Sequence, residues 1–129
     1  MTDAVVAAAR AVLEHAYAPY SRFRVGAALE ADDGRVFVGV NVENAAFGLT
    51  NCAERVALGA AVAAGARRFR RLVVASEGRT PTPPCGACRQ AFAEFGVDTV
   101  VEAVNAAERR QWELKELLPD HFGPADLGS

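Results

Sequence analysis

The chain has 129 residues, 51% of them apolar, with 14 basic and 16 acidic side chains and a formal charge of -2. That length fits one domain with a compact core, expected to occupy residues 1–129 as a single catalytic unit, and no apolar run approaches the length that spans a bilayer. Charges of both signs are interspersed and leave no broad cationic surface for a phosphate backbone, so neither nucleic acid nor a membrane is an expected partner.

Val5, Ala9, Val12, Leu13 and Ala16 recur at helical spacing, which predicts an amphipathic helix over residues 3–17, ended before Pro19. His15 on that helix reads as a surface group. Two β-rich runs follow at 25–31 and 36–42, and the Asp32-Asp33-Gly34 link between them is a hairpin signal that makes them antiparallel neighbours. An alanine-rich helix is predicted over 52–64, closed by Gly65, and residues 71–76 read as a short buried strand. After the turn-rich stretch 77–84, Cys85 or Gly86 opens a third helix that stops at Gly96. Strands are expected at 99–104 and 109–114, with a last helical turn over 114–118 before Pro119. Strand, strand, helix, strand, helix, strand, strand predicts an α/β fold, a three-layer α/β/α sandwich around one mixed five-stranded sheet.

All three cysteines of the chain fall in two clusters, Cys52-Ala53-Glu54 and Pro84-Cys85-Gly86-Ala87-Cys88. Cys85 and Cys88, three apart at a helix start, can direct two thiolates at one ion, with Cys52 as the third ligand. Three protein ligands leave a fourth tetrahedral position open for water, and Zn²⁺ lowers the pKa of such water toward about 7. Glu54 is close enough to reach that water without occupying the metal, in the pattern of zinc nucleobase deaminases, where an acid two residues from one ligand precedes P-C-x-x-C. Each half alone has a plainer reading: a C-x-x-C pair serves redox chemistry or a structural zinc knuckle, and Glu54, three after Asn51, could simply cap a helix. Both clusters lie at predicted helix starts, where the positive dipole ends stabilise thiolate sulfur. Three thiolates around Zn²⁺ still leave a formal charge of about -1. Arg55, one helical turn from Cys52, could donate to the thiolates and withdraw some of that charge, or be an ordinary surface arginine.

These motifs resemble the small cytidine deaminases that bind zinc through three cysteines and assemble as homotetramers. The likeness covers nearly the whole chain, through Pro19-Tyr20-Ser21 with Phe23, Val25-Gly26-Ala27-Ala28, Asn41-Val42-Glu43-Asn44-Ala45, Cys52-Ala53-Glu54-Arg55 and Pro84-Cys85-Gly86-Ala87-Cys88-Arg89-Gln90. It closes with Glu116-Leu117-Leu118-Pro119 and Phe122-Gly123-Pro124. The resemblance implies one Zn²⁺ per subunit on Cys52, Cys85 and Cys88. It also implies hydrolysis of cytidine and deoxycytidine to uridine and deoxyuridine with release of ammonia, as in pyrimidine salvage. Glu54 would carry the proton from water to ring N3 and then to the departing amino group.

Asn41 and Glu43, two apart at the end of a predicted strand, project from one face and suit sugar hydroxyls; by the resemblance they hold the ribose, although a polar strand end leading into a turn explains them too. A carboxylate near the sugar repels a 5′-phosphate, which favours a nucleoside over a nucleotide. The resemblance places Phe23 on the wall of the base pocket and brings Phe122 in from a neighbouring subunit, so that active sites are shared. The backbone carbonyl of Ala53 would accept from the substrate amino group. Phe47 departs from the family's frequent Tyr, and His121 has no transferable role. An odd cysteine count, and a start in which Asp3 precedes the apolar run and Arg10 interrupts it, predict a cytoplasmic protein. Two alternatives stand beside this reading: a deaminase of another aminopyrimidine nucleoside such as blasticidin S, and a non-catalytic zinc-stabilised interaction protein.

Overall fold

The computed structural model of the protein describes residues 3–128. Its first helix, α1 (Ala4–Val12), starts where the Asp3 carboxylate accepts the backbone N–H groups of Val5 and Val6, and it buries Val5, Val6 and Ala9. The predicted helix is shorter than expected, because residues Leu13–His15 tighten into a 3₁₀ turn. Strands β1 (Val25–Ala31) and β2 (Val36–Val40) form the expected hairpin, with Gly26 opposite Val40 and Glu30 opposite Val36. Helix α2 (Ala53–Ala63), strand β3 (Phe69–Ser76), helix α3 (Gly86–Ala93), strands β4 (Val100–Val104) and β5 (Arg109–Glu113) and the single turn α4 (Leu114–Leu117) complete the core of the fold.

The five strands make one sheet in the order β2-β1-β3-β4-β5. Only β3 and β4 run parallel, Arg71 lying beside Val100, and α3 is the crossover between them. Alternation along the strands divides the side chains between two cores. Ala27, Leu29, Leu72, Val74 and Val101 face α2 and α3, whereas Ala28, Val73, Ala75 and Val104 face α1. The result is the α/β/α sandwich that the sequence predicts.

Two glycines set how closely the helices approach. A Cβ on Gly26 would collide with the Ala9 carbonyl of α1, and one on Gly39 would collide with the Ala53 carbonyl and the Ala57 nitrogen of α2. Ala53, Ala57 and Ala61 are fully buried along that contact. The close seat of α2 on β2 fixes the place of its first residues, and with them Cys52 and Glu54.

β2 stops at Val40 instead of running to residue 42, and the cause is Asn41. Its Oδ1 takes the Val25 N–H at 2.9 Å, and its Nδ2 donates to the Phe23 carbonyl at 2.8 Å. The side chain thereby replaces ladder bonds that a longer strand would make. Val42 pairs only as isolated bridges to Tyr17 and Asn51. β3 begins two residues earlier than predicted, because the register shift at Glu30 and Ala31 brings Phe69 opposite Ala31.

Candidate active site

Helices α2 and α3 bring their N-termini to the same end of the sheet. Cys52 is the extended N-cap of α2 and Cys85 the extended N-cap of α3, while Cys88 lies in the first turn of α3. The three sulfurs lie within 4.8 Å of one another, with 3.9 Å between Cys52 and Cys85 and 3.5 Å between Cys85 and Cys88. A tetrahedral ion at the usual Zn–S distance of about 2.3 Å holds its sulfurs about 3.8 Å apart, so the donor set fits zinc. The two pairs are spaced as a common ion would space them.

Cys52 titrates well below the ordinary thiol range, at about 5, because the Cys88 thiol donates to it and the Arg55 guanidinium lies beside it. Cys88 is pushed up for the complementary reasons, holding the shared proton against Cys52 and being buried. A dication replaces such a proton. Arg55 Nη2 is 3.6 Å from Cys52 Sγ, and its Nε is buried without a partner among the described residues. The guanidinium therefore faces the sulfur cluster and is not free on the helix surface.

Glu54 is the second residue of α2, not the third, so it does not occupy the N3 place of a capping box. It is only 5% exposed, and burial raises its pKa above the ordinary carboxylate range. Its neighbours in space form a cavity of about 270 Å³ whose lining includes Phe23, Asn41, Glu43, Ala53, Glu54 and the Cys52 and Cys85 thiols. Clefts of about 760 and 580 Å³ elsewhere, beside Arg68 and beside Arg10, hold no thiol cluster.

Ala53 lines the cavity, but its carbonyl does not suit the expected role. As the first residue of α2 it directs that carbonyl down the helix and against Gly39. Its N–H, which has no acceptor within the helix, is the backbone group directed toward the open end.

Asn41 and Glu43 both line the cavity, beyond β2 and not on it. Glu43 Oε1 accepts the N–H groups of Tyr20 at 2.9 Å and Ser21 at 3.1 Å, and Oε2 accepts the Ser21 hydroxyl. The Ser21 hydroxyl and backbone bonds hold Glu43 below the usual carboxylate range, so it is an acceptor at neutral pH.

Phe122 stays out of the cavity of its own chain and is 60% exposed, its carbonyl accepting from Gln90 Nε2 at 2.7 Å. Phe47 is also exposed and stands edge-to-face with Tyr20, ring centroids 6.3 Å apart. Sequence reasoning gave no role to Ser21, Thr82 or Pro83, which line the same cavity. Ser21 belongs to the Pro19-Tyr20-Ser21 stretch that carries the family likeness, two residues before Phe23, but nothing in the sequence gives it a task. For Thr82 and Pro83, inside a run of turn residues, there was none.

Comparison with known proteins agrees with this geometry. The family model for the cytidine and deoxycytidylate deaminase zinc-binding region matches residues 1–104. A cytidine deaminase of Sporosarcina psychrophila is 42% identical over 97% of this chain and 93% of its own length. One of Halalkalibacterium halodurans is 48% identical over 88% of each chain. Among solved structures, a cytidine deaminase from Burkholderia pseudomallei superposes with a TM-score of 0.90 at 50% identity, covering 95% of this chain and all of that one.

Proposed function

The chain belongs to the cytidine and deoxycytidylate deaminase family, and from that premise we propose that it hydrolyses cytidine and deoxycytidine to uridine and deoxyuridine, releasing ammonia. The observation that carries the reading is a zinc-spaced thiol triad, two of whose members, Cys52 and Cys85, line one cavity together with a buried carboxylate, Glu54. Cys52, Cys85 and Cys88 hold one zinc ion, which when bound acts as a Lewis acid that makes water nucleophilic at neutral pH.

The rest of the work falls to the chain's own groups. Glu54 takes a proton from the attacking water, delivers it to ring N3 and then helps protonate the C4 amino nitrogen as it leaves. Burial supports that role, since a carboxylate lifted toward neutrality can both accept and give a proton. Arg55 draws charge from the thiolates through Cys52. Phe23 lies along the base, and Ala53 offers it a backbone N–H. Glu43 accepts a sugar hydroxyl, and Asn41, whose Nδ2 keeps one N–H beyond its bond to the Phe23 carbonyl, holds the sugar beside it.

Exposure of Phe47, Leu49 and Phe122 supports assembly into a homotetramer in which Phe122 closes a neighbouring site. A cytoplasmic setting suits three reduced cysteines.

The test is direct. Purified, zinc-loaded protein is incubated with cytidine, deoxycytidine, cytidine monophosphate and blasticidin S, and uridine-type product and ammonia are measured. Release from the two nucleosides alone is the expected result. Reaction of blasticidin S alone would overturn the pocket assignment, and no reaction in metal-replete protein would overturn the activity. For assembly, mixing inactive Glu54→Gln and Phe122→Ala chains should restore activity on subunit exchange; no recovery after verified exchange would remove Phe122 from the site.

A further inference from the structure

Ser21, Phe23 and Val25 line one wall of the cavity, and the backbone between them does not rest in an ordinary conformation. Arg22 has a φ of 57°, a left-handed geometry that a non-glycine residue keeps only where its surroundings impose it. Three polar side chains impose it. Asn41 holds the Phe23 carbonyl and the Val25 N–H; Glu77 holds the Arg24 guanidinium at 3.0 and 2.7 Å and its N–H at 3.2 Å; and Glu43 holds the N–H groups of Tyr20 and Ser21. Within this strap the Ser21 hydroxyl accepts the Phe23 N–H at 3.0 Å and donates its one proton to Glu43 Oε2.

A carboxylate has about four lone-pair sites and no proton to give. The chain fills three of those on Glu43: two on Oε1 with backbone N–H groups and one on Oε2 with Ser21. One site on Oε2 remains. Glu43 as it stands can thus read a single hydroxyl, and only as a donor. The direction of that last lone pair depends on Oε2 being fixed, and Ser21 is the only partner Oε2 has among the described residues. The Phe23 N–H in turn orients the Ser21 oxygen, so that its proton has one target.

We propose that Ser21 is a positioning residue for substrate recognition: it locks Glu43 so that one remaining acceptor site meets one sugar hydroxyl. The proposal rests on the reading of Glu43 as the sugar acceptor. It assigns Ser21 no contact with substrate. Its consequence is that sugar selectivity comes from a side chain outside the zinc cluster, and that the effect of removing Ser21 depends on which hydroxyls the nucleoside carries.

The experiment is a cycle between protein and substrate. KM and kcat are measured for the unmodified protein, Ser21→Ala, Ser21→Thr and Glu43→Gln with cytidine, 2′-deoxycytidine and 3′-deoxycytidine, alongside zinc content and Tm. One of the two deoxy substrates should lose about tenfold in kcat/KM with the unmodified protein, the size of a hydrogen bond to a charged group, and so mark the hydroxyl that Glu43 reads. Ser21→Ala should raise KM about tenfold for nucleosides that carry that hydroxyl and leave kcat within about twofold; it should move KM by less than about threefold for the nucleoside without it. Ser21→Thr, which keeps the hydroxyl, should recover most of the loss. An equal rise in KM for all three nucleosides, with Glu43→Gln still abolishing the discrimination, overturns the positioning role and leaves Glu43 as the reader. Equal handling of all three nucleosides by the unmodified protein, together with no effect of Glu43→Gln, overturns both.

Discussion

Arginine meets acidic groups at two places in this molecule, and the two are settled differently. On the α1 side of the sheet, Arg71 donates to both oxygens of Glu102, at 2.7 and 3.0 Å, and to both oxygens of Asp3; Arg109 donates to Glu102 at 2.6 Å and lies 3.6 Å from Asp3. Two carboxylates face two guanidinium groups, and the charge closes within the chain. At the cavity, three thiols and Glu54 face a single cation among the described residues, Arg55. With all acids ionised that cluster is short of three positive charges, and a dication still leaves it short of one. Charge that is balanced internally holds α1 to the sheet; charge left unbalanced is where an ion and a proton carrier can act.

The contrast breaks most clearly at Glu54. Glu54→Gln keeps the shape and removes the titrating group, so turnover should fall by about 10²–10⁴-fold while zinc content and Tm stay near those of the unmodified protein. Steady-state rates and metal analysis check this, and near-normal activity would return Glu54 to a structural role. Arg71→Met should do the opposite. It leaves the nearly buried Glu102 with only the half-exposed Arg109, at a cost of about 3 kcal/mol, which corresponds to a Tm about 10 °C lower. The kcat of the folded fraction should be unchanged, as the network touches no part of the cavity. Arg55→Ala falls between the two, with kcat reduced about tenfold and zinc still near one per chain, because it removes a donor to a ligand and no ligand itself. An unchanged rate would make Arg55 surface in all but position.

How readily each cluster could be seen in the sequence follows from how it is built. Cys52, Glu54 and Arg55 sit within four residues, and Cys85 and Cys88 within another four, because a helix start presents such spacings to one point; their chemistry is written locally. The Asp3, Arg71, Glu102 and Arg109 network joins four places brought together only by strand pairing, so nothing near Arg71 in the sequence marks it among its neighbours Arg67, Arg68 and Arg70. The strands and the hairpin were legible for the same local reason, from alternation and the Asp-Gly turn. The end of β2 was not, because Asn41 ends it through contacts with residues 23 and 25. The sequence offers Glu43 as a candidate acceptor for a sugar hydroxyl, but the three bonds that already occupy it, and with them Ser21, appear only once the chain is folded.

The smallest expected effect is also the sharpest test of internal balance, since it uses one proton. Asp3 both caps α1 and pairs with Arg71, and Asp3→Asn retains the capping ability while removing the charge. The Arg71 guanidinium holds Asp3 well below the usual carboxylate range. Burial acts to raise Glu102, but Arg71 and Arg109 outweigh it, and Glu102 too is held low. A carboxylate with a depressed folded pKa binds its proton more readily in the unfolded chain. Its contribution is therefore complete above the unfolded values of about 4, and it is lost as pH falls from there toward the folded ones. Asp3 is partly exposed, so the contribution is about 1 kcal/mol once screening is allowed for. Denaturant unfolding of the unmodified and Asp3→Asn proteins should show that gap between pH 7 and 5 and its narrowing from pH 4 to 3. Loss of zinc at acid pH affects both proteins alike and cancels in the difference. Parallel stability curves across the whole range would mean that Arg71 is balanced by Glu102 alone, and that the N-terminus of α1 is held by its cap rather than by charge.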